Sequence, residues 1–370
     1  MNLYFLLDGL TESFGNEPTT LDIASHQYLD RISSTGKIGL YEPSTRPYVP
    51  NPETYVVFPY FFGLDPNHNP GRAGLELMRA GIDLQKFSSV ALFRIIEKNY
   101  DPMKGWDKAP RLIGEEHLSN VLDSLSQEFP HTKTTKSNIS RKGNCWCVAS
   151  QGKEGLEDYL NKLQFLVSKR DLNVYPVLLQ DYSPANLSTI RPTTLYGWAV
   201  GSLVEAFNLV GVSISQNPDI LENDLFQYDT KMKDFTDRVL PCIAGDSERD
   251  CSAIVYVKES SEASRKKTRD DKVKSLKFID DLIGETFRNL EPSHANLIVL
   301  SDHQSNIGIE RTYRGPTIYS YTRMGVGKSR INLTFSEDNA AILTPRVKTQ
   351  QEVIAEIESF IKSTTNQPQP

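Results

Sequence analysis

The amino-acid sequence predicts an α/β protein, with a central sheet flanked by helices and a smaller inserted α+β lobe. Three observations lead there. Two short apolar runs, Tyr4-Phe5-Leu6-Leu7 and Asn296-Leu297-Ile298-Val299-Leu300, stop at the polar groups Asp8-Gly9 and Ser301-Asp302-His303. Such runs read as buried strands that deliver side chains to their C-terminal ends, where open α/β sheets carry their sites. Strand and helix signals alternate in the later half of the chain, which favours a sheet covered by helices. The stretch 111–183 departs from that alternation and reads as a lobe of its own.

In chain order, residues 4–7 form the first strand and the lobe follows later. The lobe contains a helix over 115–128, a Cys145-Trp146-Cys147 strand, a helix over 155–169 and a strand over 173–179. Beyond it, 252–257 is a strand, 272–289 an amphipathic helix, 296–300 a strand and 349–363 a closing helix. The core is therefore assigned to 1–110 and 184–362, the inserted lobe to 111–183, and the polar, proline-containing 363–370 to a disordered tail.

With 370 residues, 38% hydrophobic and 24% charged, the chain can bury a large core and does not have a disordered composition. A net charge of -6 gives no chain-wide electrostatic reason for a nucleic-acid partner. The opening apolar run is about five residues long, short of a signal peptide's core or a membrane span. Cys145, Cys147, Cys242 and Cys251 form no metal-ligand spacing and read as reduced thiols. The expectation is a cytoplasmic protein with neither nucleic acid nor membrane as partner; the sequence carries no signal of oligomeric state.

Asp8 after one strand, Asp302-His303 after another and a hydroxyl residue between them make an oxygen and imidazole ligand set suited to a zinc- or manganese-class ion. The competing reading is strand-end polar residues satisfied by backbone donors. His26, His68, His117, His131 and His294 read as structural. The run Met324-Gly325-Val326-Gly327-Lys328-Ser329 imitates the end of a P-loop. Thr322 stands where the first glycine belongs, and 331–335 reads as a strand where a P-loop needs a helix, so no nucleotide cofactor is expected.

Several segments together resemble the archaeal-type cofactor-independent phosphoglycerate mutases of the alkaline-phosphatase superfamily. Leu6-Leu7-Asp8-Gly9-Leu10 is similar to that family's strand ending in an aspartate ligand, and Gln27 onward to Leu40 looks like its next helix and strand. Pro52-Glu53-Thr54-Tyr55 and Gly63-Leu64-Asp65-Pro66 align on the family's nucleophile segment, which puts Thr54 where a serine usually stands. Gly71-Arg72 through Glu76, Ala80-Gly81-Ile82-Asp83-Leu84 and the late Phe335-Ser336-Glu337 continue the likeness.

The resemblance implies an alkaline-phosphatase-like fold and one divalent ion, manganese or zinc, held by Asp8, Thr54, Asp302 and His303, with Thr54 as nucleophile. It implies a small anionic, phosphorylated substrate, with Arg72 and Arg265 as candidate anion contacts. The second metal's ligands are replaced: Ser261 and Arg265 stand where the family has aspartate and histidine, and Thr312-Tyr313 precedes Pro316 where it has a further histidine. Arg265 is then either a guanidinium standing in for the second ion or part of the solvated run Arg265-Lys266-Lys267-Thr268-Arg269. Two functions follow from this degenerate site. One is a phosphomutase or phosphohydrolase working through Thr54 and one ion, and the other a catalytically silent relative that binds a ligand or protein partner.

Overall fold

The structure is a computed structural model and describes residues 1–13, 17–46, 51–97, 115–136, 145–169, 174–182, 193–198, 212–215, 228–245, 252–265, 268–290, 294–308, 314–325 and 333–365. Its strands in chain order are β1 (Asn2–Leu7), β2 (Lys37–Glu42), β3 (Ser89–Glu97), β4 (Thr132–Lys136), β5 (Cys145–Ser150) and β6 (Val174–Tyr182). There follow β7 (Thr193–Trp198), β8 (Val212–Ser215), β9 (Ser252–Val257), β10 (Asn296–Ser301), β11 (Thr317–Arg323) and β12 (Lys348–Thr349). The chain divides into two compact units, Met1–Pro66 with Ile190–Pro370, and Asn67–Thr189.

In the first unit the described strands make an eight-stranded sheet in the order β12-β2-β11-β10-β1-β9-β7-β8. It is mostly parallel, with antiparallel pairing confined to β10–β11 and β11–β2. Central β1 lies parallel to β10 and to β9, with Leu7 opposite Ser301 on one side and Val257 on the other. Side chains alternate across a strand, so Leu3, Phe5 and Leu7 enter one core layer together with Leu297, Val299, Val255 and Val257. Leu6, Ile298, Leu300 and Ile254 are buried as well, so these strands are apolar on both faces, as a covered parallel sheet requires. The helix Arg269–Leu290 covers the first layer with Leu276, Ile279, Ile283, Phe287 and Leu290, spaced at three and four residues as one helical face demands. Each fully buried Leu, Ile or Phe there contributes about 1.5–3 kcal/mol relative to exposure.

The second unit holds an antiparallel sheet, β4-β5-β3-β6. Phe93, Ala91, Trp146 and Val148 pack under the helices Glu115–Glu128 and Lys153–Lys169, and Val90, Leu92, Cys147 and Ala149 pack against the helix Gly71–Arg79. The sequence sets the small lobe at 111–183. The compact unit is wider because β3 pairs with both β5 and β6 and so draws residues from 67 onward to that sheet.

Two further expectations are revised by local hydrogen bonding. The closing helix Gln350–Thr365 runs through 363–365, which the sequence gives to a disordered tail, and Asn296 at the start of β10 donates to Thr364 Oγ1 at 2.9 Å. The described part of 331–335 is not a strand: Leu333 N bonds Ser34 Oγ and Phe335 N bonds Asp30 Oδ1, so side chains take the donors a strand partner would use. Residues 326–329 of the P-loop imitation lie outside the described residues. Among the described residues no helix is long and apolar enough to cross a membrane.

Gly36 ends the helix Gln27–Thr35 and leads into β2, and a Cβ there would lie 2.0 Å from the Tyr321 carbonyl oxygen on β11. Backbone cannot yield as a flexible side chain can, so Gly36→Ala is expected to cost at least about 1–3 kcal/mol, the scale of overpacking. Urea unfolding measures it, and a change under about 0.5 kcal/mol, the surface-substitution range, would show that β2 and β11 are not so close.

Candidate metal centre

The register of the central sheet places the site. Because Leu7 sits opposite Ser301 in parallel strands, the residues that follow each, Asp8 and Asp302, leave the sheet side by side. Gly9 then turns with φ +62°, a conformation open to glycine at little cost. A Cβ at Gly9 would stand 2.7 Å from Ser305 Cβ, 2.9 Å from Ser261 Cβ and 3.0 Å from His303 Nε2, so the missing side chain lets three segments close on one point.

Asp302 is fully buried and doubly engaged, accepting from Gly9 N at Oδ1 (2.9 Å) and from Thr54 Oγ1 at Oδ2 (2.5 Å). Thr54 opens the helix Thr54–Tyr60, and its neighbour Glu53 is held by Arg46 Nε at 2.7 Å and by the Tyr55 hydroxyl at 2.6 Å. His303 is buried with Nδ1 2.9 Å from Asp302 Oδ1 and Nε2 3.6 Å from Asp8 Oδ1. Nδ1 is thus held by the Asp302 carboxylate, whereas Nε2 and Asp8 Oδ1 are buried with no hydrogen-bond partner among the described residues. Asp8 Oδ2, by contrast, accepts from the Tyr256 hydroxyl at 2.7 Å.

Burial, and after it the charge of Asp302, pushes the Asp8 carboxyl up to about 6. For His303, burial pulls downward, and the carboxylates of Asp302 and Asp8 outweigh it, so the imidazole is held above its usual value. An orphaned buried polar atom costs about 1–3 kcal/mol, and here two of them, Asp8 Oδ1 and His303 Nε2, face each other. Asp8, Asp302 and His303 each offer a ligand atom, all within 4.8 Å of one another. Two carboxylates and an imidazole, with Asp8 Oδ1 and His303 Nε2 left unsatisfied where they face each other, fit a divalent cation of the zinc or manganese class.

Hydroxyl and charged side chains hold the loops around this point. Ser260 Oγ donates to the Gly9 carbonyl at 3.0 Å, Ser261 N to the Asp8 carbonyl at 3.0 Å, and Ser264 Oγ to the Ser305 carbonyl at 3.1 Å, all from the helix Glu259–Arg265. Lys272, fully buried, donates to the Ser305 carbonyl at 2.6 Å and pairs with Glu12 at 3.1 Å. Glu12 N in turn donates to Glu337 Oε1 at 3.0 Å. Arg265 ends the serine helix and is exposed, and its charge favours the ionised Asp8 carboxylate and disfavours a charged His303. Arg72 belongs to the second compact unit, with its guanidinium on Glu76 through Nε (2.9 Å) and Nη2 (2.7 Å). Thr312 and Tyr313 lie outside the described residues.

Comparison with solved structures sets this arrangement in a known scaffold. The PH0037 protein from Pyrococcus horikoshii is similar over 100% of this chain and 99% of its own, at 16% identity and a TM-score of 0.69. A cofactor-independent phosphoglycerate mutase from Thermoplasma acidophilum is similar over 97% of this chain and 98% of its own, at 14% identity and a TM-score of 0.56. The chain shares the fold of these two proteins. No protein-family model and no curated protein sequence matches it.

Within that fold the structure brings Asp8, Thr54, Asp302 and His303 together. Sequence reading does not find Tyr256, Glu12 or the serines at 260 and 264, since nothing in the sequence ties a strand tyrosine or a helical serine to a loop elsewhere in the chain. The glycine after Asp8 was the one local signal of a close approach.

Glu337 supplies a test of this scaffolding. Burial is the main cause that pushes its carboxyl up to about 7, against the hydrogen bond from Glu12 N. The folded protein therefore binds this proton more tightly than the unfolded chain, and the stability it contributes is complete below about pH 4.5 and is lost as pH rises through about 7. Glu337→Gln is expected to flatten the fall in unfolding free energy between those values. Urea unfolding at a series of pH values measures it, and an unchanged slope in the variant would assign that proton elsewhere.

Proposed function

We propose that this protein is a metal-dependent phosphoryl-transfer enzyme of the phosphomutase or phosphohydrolase type, acting on a small anionic, phosphorylated substrate. The observation that carries the reading is the convergence of Asp8 Oδ1 and His303 Nε2, both buried without hydrogen-bond partners, beside a threonine hydroxyl bonded to Asp302. A zinc- or manganese-class ion held by Asp8, Thr54, Asp302 and His303 would lower the pKa of the Thr54 hydroxyl and draw phosphoryl charge toward itself.

The chain's own groups divide the remaining work. Asp302 Oδ2 accepts the Thr54 hydroxyl proton at 2.5 Å and so fixes the direction of the Oγ1 lone pairs. Thr54 Oγ1 forms the new bond to phosphorus as the bond to the leaving oxygen breaks, and a second hydroxyl of the substrate, or water, then takes the phosphoryl group. The Asp8 and Asp302 carboxylates would cancel the charge of a divalent cation, and Arg265, whose field reaches Asp8 and His303, adds a positive charge near the site.

A catalytically silent relative is the second reading, favoured by Ser261 and Arg265, which stand where the resembled family has an aspartate and a histidine for a second ion. Metal analysis and turnover separate the two. One manganese or zinc ion per chain is expected, lost in His303→Ala. Hydrolysis of p-nitrophenyl phosphate or isomerisation of 3-phosphoglycerate is expected to fall by at least about a thousandfold in Thr54→Val, the scale on which nucleophile loss acts. A metal-loaded wild type no faster than Thr54→Val on every phosphate ester tried would favour the silent reading.

Arg265→Met is expected to raise KM for a phosphorylated substrate by about 10- to 100-fold, the equivalent of a charge-assisted hydrogen bond, with metal content unchanged. An unaltered KM would return Arg265 to the solvated basic run.

A further inference from the structure

Tyr256 is the group whose position the reaction above leaves unused. Leu6 pairs with Tyr256 across the parallel β1–β9 ladder. Side chains two residues apart share a face, so Tyr256, Leu6 and Asp8 follow one another along the same side of the sheet. The Tyr256 hydroxyl thereby reaches Asp8 Oδ2 at 2.7 Å, and its ring meets Phe58 edge to face, with centroids 6.2 Å apart and planes at 74°. Phe58 is fully buried one helical turn beyond Thr54. A single side chain therefore touches the carboxylate of one ligand and the helix that begins with another.

A carboxylate can offer one oxygen or both to a cation. Tyr256 takes Oδ2, and the oxygen left without a partner is Oδ1, which faces His303 Nε2 at 3.6 Å. We propose that Tyr256 is a positioning residue that restricts Asp8 to one ligand oxygen and so biases the centre toward ions of low coordination number, such as zinc. Monodentate carboxylates suit four-coordinate zinc, whereas two-oxygen binding belongs to larger coordination shells. Hydrogen-bond partners of metal ligands commonly control affinity by 10- to 100-fold. The proposal rests on the metal reading of Asp8, Asp302 and His303.

The test is cobalt(II) titration of the metal-free protein, followed by visible absorption, which is intense for four-coordinate cobalt and weak for five or six ligands. Tyr256→Phe keeps the ring on Phe58 and removes the hydroxyl alone. The variant is expected to bind cobalt about 10- to 100-fold more weakly, having lost the hydrogen bond that orients Asp8 Oδ1, and to show a weaker band per bound ion, because Asp8 is free to offer both oxygens. Competition with manganese is expected to narrow the preference for zinc. An unchanged dissociation constant or an unchanged band in the variant overturns the positioning role alone. A wild type that takes up no cobalt overturns the metal reading, and this proposal with it. Thermal unfolding of both metal-free proteins is measured in parallel, and a weaker-binding variant that has lost its folded baseline counts against the proposal unless Tyr256→His, which retains a donor, recovers part of the affinity.

Discussion

Two carboxylates and an imidazole share a buried point at the end of the central sheet, and the surrounding structure is arranged around the cost of keeping them there. Removing a carboxylate from water carries a penalty of several kcal/mol, which must be met by hydrogen bonds or opposite charge. Asp302 meets it with Gly9 N and Thr54 Oγ1, and Asp8 meets half of it with Tyr256. The other half, Asp8 Oδ1, faces His303 Nε2, and among the described residues neither atom has a hydrogen-bond partner. The upward push on the Asp8 carboxyl is the signature of that deficit. A cation between them would satisfy both atoms together.

Such a point can exist because the sheet around it is parallel and apolar on both faces. The common register of β9, β1 and β10 brings three strand ends to one level, and Gly9 allows the loops beyond them to approach within contact of Ser261, Ser305 and His303. The helix Glu259–Arg265 then bonds to both loops through Ser260, Ser261 and Ser264, while Lys272 and Glu12 tie the loop after β10 to the loop after β1. The helix Glu259–Arg265 thus braces the two loops. It supplies small hydroxyl groups that pack and bond, and an exposed guanidinium at its end.

What the sequence shows and what it conceals follow from the range of the forces involved. The strands over 4–7, 252–257 and 296–300 and the helix over 272–289 are legible because apolar periodicity is local, and the structure places them at Asn2–Leu7, Ser252–Val257, Asn296–Ser301 and Arg269–Leu290. The positions of Asp8, Asp302 and His303 are legible because each follows an apolar run that ends there, and that of Thr54 through the Pro-rich segment around it. The limits of the small lobe are not, because the pairing of β3 with β5 and β6 joins residues far apart in the chain. The same holds for Tyr256 and the Lys272–Glu12–Glu337 chain, whose partners are brought close only by the finished sheet. At 363–365 a polar composition suggests disorder, and one long-range hydrogen bond from Asn296 to Thr364 fastens the last helical turn.

The most direct test of the account is an anomalous difference map from crystals grown with manganese, collected on both sides of its absorption edge. The account predicts one strong peak per chain, within coordination distance of Asp8 Oδ1, Thr54 Oγ1, an Asp302 oxygen and His303 Nε2. A map without a peak among those four side chains, at a metal concentration that labels the protein elsewhere, would contradict it.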